Sequence, residues 1–293
     1  SVFHIRNWQT DNAVSLFEKT IYQLKSPLRR DLLHLEKVCE ISPISGCRII
    51  RYLFDQALNN QMASSSQFTS SFFLDNELRE LEGTIENAMK IVGEKVPTSY
   101  LEIMFPWVVK VVTVVPYSDQ MPRFTSDALS YNWYDSTFNI QNTFVHSIIN
   151  ALTQVAHDEQ NIFQPISQQL KNLSYQTPQQ LLAYVYSSLP EQYAEDAFNF
   201  LITDQRRYGL GEEQFDSRRL ISAIFPFLSS EQKELLESNI LQFSWPVYKE
   251  LGLHGLRWSG FEQYRLLHSI PVELLSLKAK KRLAEWQRKF PDT

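Results

Sequence analysis

An all-α chain, built as an irregular array of helical hairpins in a solenoid-like or compact bundle, is what this sequence predicts. Three observations carry that expectation. The 293 residues hold only 8 glycines against 13 prolines, whereas folds with ligand-cradling loops cluster glycine where backbone takes φ > 0 or approaches a phosphate closely. The prolines fall at the seams between apolar stretches, where a residue lacking an N–H opens or closes a helix. Within those stretches apolar residues recur at intervals of three and four, which gives one apolar stripe and one polar face.

Taken in order, Ser26 before Pro27 and Ser42 before Pro43 mark helix starts, because the hydroxyl caps unpaired N–H groups and proline fits the first helical position. The stripe Leu28, Leu32, Leu35 and Cys39 follows the first; Ile49, Ile50, Leu53, Phe54 and Ala57 follow the second. Residues 1–62 read as an N-terminal helical subdomain. The Ser- and Gln-rich run 61–73 (QMASSSQFTSSFF) reads as a flexible connection, taken as 63–73, to a main helical array over 74–293. There Leu78, Leu81, Ile85, Ala88 and Ile91 define one helix, with Glu77, Glu80, Glu82 and Glu86 as its wet face. Residues 107–115 hold six valines between Pro106 and Pro116. Their propensity allows one short strand near 107–115, but no second strand is evident to pair with it, so a buried helix is favoured.

Phe144, Ile148, Leu152 and Val155 open the next helix, and stripes of the same kind continue to Leu283, Trp286 and Phe290. Thr177 with Gln180 and Ser259 with Glu262 have capping-box spacing. About ten to thirteen helices with short connections suit antiparallel hairpins packed in sequence. No strict tetratricopeptide or ankyrin period emerges.

Composition narrows the function classes. A formal charge of −5 argues against nucleic acid as an obligatory partner, since non-specific phosphate binding needs a basic footprint. No apolar run is long enough to span a bilayer and no secretory leader is visible, so a membrane partner is not expected. Cys39 and Cys47 are too few for a disulfide scaffold and read as buried thiols of a cytoplasmic protein. The chain starts at Ser1 and stops just after a strong helix, which suggests a piece of something longer.

Motifs for catalysis are absent: there is no phosphate-binding loop, nucleophile elbow or zinc-protease helix, and neither a metal nor a cofactor is expected. His146 and His157 stand eleven residues apart on one helix, roughly 16 Å by helical rise, too far to share a metal. The alternative, a helical enzyme assembled from distant residues, would gather two or more of His146, His157, Glu159 and the acidic helix around Glu80 in one deep pocket. The binding candidates are of three kinds. Tyr131, Trp133 and Tyr134, with Phe138, form an aromatic cluster in a segment of little helical pattern, and aromatic rings on loops anchor partners well. Arg206, Arg207, Arg218 and Arg219 flank the turn at Gly209 and Gly211, where two arginine pairs could clamp an acidic group. The last helix carries Lys278, Lys280, Lys281, Arg282, Arg288 and Lys289 against Glu285, a face for phosphate or an acidic partner, which keeps a nucleic-acid-binding module using this helix as a less favoured alternative.

The runs Asp196 to Arg207 (DAFNFLITDQRR), Asp216 to Ile224 (DSRRLISAI) and Gly260 to Leu267 (GFEQYRLL), with the closing pattern Ile270 to Phe290, carry a resemblance. Over roughly residues 190–290 the chain looks like the helical region of large bacterial proteins with a STAND-type nucleotide-binding module, including AVAST-type antiphage ATPases. The resemblance implies a sensor or scaffold array that recognises a foreign protein, while an NTPase elsewhere oligomerises and drives an effector. This chain lacks the phosphate-binding loop of those proteins, so no catalytic residue carries over. The function expected is a macromolecule-binding helical scaffold or sensor region of a bacterial multidomain protein, with a protein partner and an antiviral defence setting.

Overall fold

The computed structural model describes residues 15–16, 19–22, 34–64, 73–117, 123–130, 139–244 and 260–290. Among these residues the chain is all-α; no strand is present, and β pairing is confined to an isolated parallel bridge between Thr125 and Tyr175. Its contacts group the chain into two compact units, Ser1–Pro116 with Ser126–Pro165 and Tyr117–Thr125 with Ile166–Thr293.

The first unit contains α1 (Leu35–Ile41), α2 (Pro43–Ser64), α3 (Phe73–Leu78), α4 (Thr84–Lys95), α5 (Pro97–Val112) and α6 (Ile140–Asp158). Helix α4 packs along α6 and against α1, while α2 lies against α1, α3, α4 and α5. That packing is why the units differ from the expected 1–62 and 74–293: the N-terminal helices bury their stripes on those that follow. At the centre Trp107 is fully buried with Phe54, Phe73 and Phe144 around it, at ring-centroid distances of 5.0, 6.2 and 5.2 Å. Such aromatic pairs add about 0.5–1.5 kcal/mol each beyond the area they bury.

Residues 107–112 belong to α5 and 113–115 form the turn and bend after it, so the valine-rich stretch is helix over most of its length and the alternative of a strand near 107–115 is removed. Val108, Val111 and Val112 are buried together on one face of α5, so burial outweighs the β preference of valine. Pro106 does not end the helix. It sits on the exposed side, where the carbonyl it leaves without a donor can be hydrated, and next to it the Arg51 Nη1 donates to Ile103 O at 3.0 Å.

The acidic stretch 77–86 is not one helix. Helix α3 ends at Leu78, a 3₁₀ turn covers Arg79–Leu81, and Gly83 at φ +80° precedes α4. Glu77, Glu80 and Glu86 thus sit on three separate elements. Within the Ser/Gln-rich run, α2 extends to Ser64 and the buried Phe73 opens α3; the residues between lie outside the described ones.

Helix α7 (Gln160–Asn172) follows α6, and the second unit continues with α8 (Gln176–Ser188), α9 (Pro190–Thr203), α10 (Phe215–Ile224), α11 (Ser230–Gln242), α12 (Phe261–His268) and α13 (Leu277–Lys289). Helices α8, α9 and α10 pack mutually; α12 packs on α10, α11 and α13. Ser42 before Pro43 does open a helix. Thr177 does not cap one: α8 starts at Gln176, and Gln180, expected to close a capping box, reaches Asp216 at 2.7 Å instead. The caps that form are at Asn139, at Ser229 with Gln232 as a capping box, and at Ser276. Ser26, Pro27, Leu28, Leu32 and Ser259 lie outside the described residues.

Candidate functional site

The arginines near Gly209 do not share one partner: Arg206 binds Asp204, Arg207 binds Gln179 and Arg219 binds Ser188. Arg207, on the 3₁₀ turn Gln205–Gly209 that follows α9, is 6% exposed. Its Nε donates to Gln179 Oε1 at 2.9 Å, its Nη1 to Phe200 O and Thr203 Oγ1 at 2.7 Å each, and its Nη2 to Lys171 O at 3.1 Å. The planar guanidinium thereby satisfies carbonyls in the last turns of α7 and α9 that have no helical donor, and it lies 4.1 Å from the Phe200 ring centre. Burial lowers its pKa, opposed by the neighbouring Asp204 carboxylate. An arginine so enclosed is a structural clamp and not a surface anion receptor.

Below that turn the backbone doubles back through Gly211 at φ +77° and through Glu213 and Gln214, both with positive φ. A Cβ at position 211 would stand 2.5 Å from Asp216 Oδ2. Asp216, Ser217 and Gln214 are buried: Ser217 Oγ donates to Arg207 O at 2.7 Å and accepts from Leu210 N at 2.8 Å, and Gln214 Nε2 donates to Tyr208 O at 3.0 Å. Arg219 is half-buried, with its guanidinium 3.8 Å above the Tyr184 ring and 3.3 Å from Ser188 Oγ. Arg218, its neighbour on α10, is half-buried and directs away by the helical step.

Arg206 is the member of the group that reaches a surface patch. Its Nε and Nη2 fork onto Asp204, at 3.1 Å to both oxygens and 2.7 Å to Oδ2, while Asp204 Oδ1 accepts from the Arg206 backbone at 3.0 Å. Burial works to raise the Asp204 pKa, but those bonds outweigh it and hold the carboxyl below its usual value. The guanidinium lies 4.2 Å from the centre of the Phe124 ring, and its pKa is raised by the bonded Asp204 with a smaller contribution from Tyr117. Tyr117 is 47% exposed and meets Tyr175 edge to face at 6.3 Å, while Phe124 and Tyr175 are buried. The hydrogen bonds of Thr125 N to Ser174 O, 3.2 Å, and Gln176 N to Thr125 O, 2.9 Å, hold this strip of backbone in place. Tyr117 and Phe124 were not legible as candidates. The signal was present in the sequence, a tyrosine directly after Pro116 and a phenylalanine two residues after Pro122, but it points nowhere without the position of Arg206.

Of the remaining candidates, Lys281 is exposed on α13, and Lys280 folds back to donate to Glu273 O at 3.3 Å. Tyr131, Trp133, Tyr134 and Phe138 lie outside the described residues. His157 is exposed at the end of α6 beside Asp158 Oδ1, at 2.6 Å, and His146 is on the exposed side of the same helix. Glu159 is bonded by Thr98 Oγ1. Among the described residues no three His, Cys, Asp or Glu side chains are placed to hold a metal ion, and no helix is long and apolar enough to cross a membrane. Comparison with known families, curated proteins and solved structures finds no match to this chain.

Proposed function

We propose that the chain is a macromolecule-binding helical scaffold with no catalysis of its own, whose contact surface in the second unit is the Tyr117 patch and whose partner is a protein. The observation that carries this is half-exposed Tyr117 set edge to face on the buried Tyr175, in the same strip of chain whose Phe124 lies under the Arg206 guanidinium. Tyrosine and arginine presented rigidly, with polar tips and apolar bodies, are the side chains on which protein interfaces concentrate their energy. Because Asp204 already holds the Arg206 fork, docking freezes little further motion in that side chain.

In the same proposal the chain is a sensor region of a larger bacterial STAND-type protein acting in antiviral defence. The quoted runs at 196–207, 216–224 and 260–267 support it, and the free, buried Cys39 and Cys47 fit the cytoplasmic setting it implies.

The test is a photo-crosslinking amino acid at position 117, with Tyr117→Ala as control. A discrete protein adduct at position 117, and loss of capture of that protein by a normally helical Tyr117→Ala chain, are expected. Undiminished capture by Tyr117→Ala would remove the patch from the proposal.

A further inference from the structure

A second surface of the same unit has a different chemistry. Between α12 and α13 the 3₁₀ turn Val272–Leu274 leads into the first residue of α13, and this corner leaves Val272 54%, Leu274 37% and Leu277 79% exposed. The corner is firmly built. Leu275 is buried in it, Ser276 Oγ caps Ala279 N at 3.2 Å, and the Ser276 backbone N–H donates at 2.8 Å to Glu237 Oε1, a buried carboxylate of α11. Lys280 Nζ on Glu273 O ties the turn to the first turn of the helix.

Beyond the corner, α13 buries Ala279, Leu283 and Trp286. The helical period then places Leu277, Lys281, Ala284 and Arg288 along the opposite face, and all four are exposed. Lys278, Arg282 and Lys289 flank that face, also exposed; Glu285 is engaged by Arg282 at 2.9 Å. In a chain of net charge −5 this is a local excess of cations around projecting aliphatic side chains.

We infer that the Val272–Leu277 corner and the outward face of α13 form a peripheral docking surface for a bilayer containing anionic lipids. This inference goes beyond the protein-binding proposal and rests on a separate surface. It also departs from the expectation that no membrane partner exists, because the exposure of Val272, Leu274 and Leu277 appears only once α13 has turned its own stripe inward. An anionic bilayer satisfies both halves of the surface: aliphatic side chains enter the headgroup and acyl boundary, and lysines beside them meet lipid phosphates and carboxylates. Nucleic acid would use the cations alone, since its single strands are gripped by stacking on exposed aromatic rings and Trp286 is buried.

The experiment is co-sedimentation of the intact chain with vesicles of phosphatidylcholine alone or of phosphatidylcholine mixed with phosphatidylserine, at low and high salt, with duplex DNA as a parallel probe. Binding to the anionic vesicles only is expected, weakened by salt. Lys281→Ser should lower it about fivefold and Leu277→Ser about tenfold. Both side chains are exposed, so helicity by circular dichroism should stay unchanged. Equal binding to neutral vesicles, no binding to either, or binding to DNA and vesicles alike that Leu277→Ser leaves intact would each overturn the inference.

Discussion

Arg207 shows at the scale of one residue how a charge leaves the pool of binding candidates. Its five N–H donors form a fixed fork, and four acceptors, from Gln179, Phe200, Thr203 and Lys171, surround that fork. Arg207→Ala would remove four hydrogen bonds, leaving Phe200 O and Lys171 O only their longer bonds from Thr203 Oγ1, 3.2 Å, and Gln179 Nε2, 3.3 Å, and a loss of about 3 kcal/mol is expected. Arg207→Lys keeps the charge but not the fork and should recover only part of it. Urea unfolding, with hydrogen exchange at α8 to α10 as the local readout, checks both; an Arg207→Lys chain as stable as the wild type would contradict the clamp. The sequence displayed the arginine pairs but not their separate fates. Arg206 and Arg207 are adjacent, yet one forks onto Asp204 near the surface and the other points into the interior. Arg207 finds its acceptor on Gln179, nearly thirty residues upstream in the chain.

The elements themselves were largely legible, because a helical stripe is a local property. Most stripes from Leu35 to Trp286 mark a helix with its stripe inward. The ends were less legible. Ser or Thr before proline predicts a cap only where the hydroxyl is free to fold back, and Thr177 is buried in the first turn of α8. Ser229 and Ser276 cap helices with no proline after them. Glycine positions separate two causes of strain. Gly46 on α2 is in close approach to α1: a Cβ there would stand 2.4 Å from Cys39 Sγ and 3.1 Å from Cys39 Cα. Gly46→Ala should therefore cost about 1–3 kcal/mol through overpacking, and Cys39→Ala in the same chain should return part of that as a positive coupling. Gly83 has nothing within 4 Å of its missing Cβ but stands at φ +80°, so Gly83→Ala should cost about 1–2 kcal/mol of backbone strain that Cys39→Ala leaves untouched. Denaturant midpoints of the three single variants and of the two double variants with Cys39→Ala distinguish the two.

For the whole molecule, the two units carry carboxylates whose titration has opposite signs. In the first, Asp75 on α3 accepts from Ile140 N at 2.7 Å at the start of α6. Burial raises its pKa despite the backbone bonds it receives, and burial followed by the neighbouring Glu82 raises that of Glu86. Groups raised on folding bind protons more tightly in the native state, so their contribution to stability grows as pH falls through the raised values and is complete below the ordinary carboxylate range. In the second unit Asp204 is depressed; its contribution is present above the ordinary range and is lost as pH falls through the depressed value. Mild acidification should thus strengthen amide protection, corrected for intrinsic exchange, in α3 and the first turn of α6 before it weakens the turn after α9. Simultaneous loss in both regions would show that these carboxylates do not govern the acid response.

By itself the sequence determined that this protein is helical and where most helices run, since each stripe is written in neighbouring residues three and four apart. It also excluded the familiar catalytic loop motifs. The tertiary structure alone decided which face of the valine-rich stretch enters the core of the first unit, that Arg207 is a clamp, that Arg206 lies on Phe124, and that Leu277 projects among lysines. Each of these depends on burial, and burial is set by helices distant in sequence that compete for the same apolar surface and the same unpaired carbonyls.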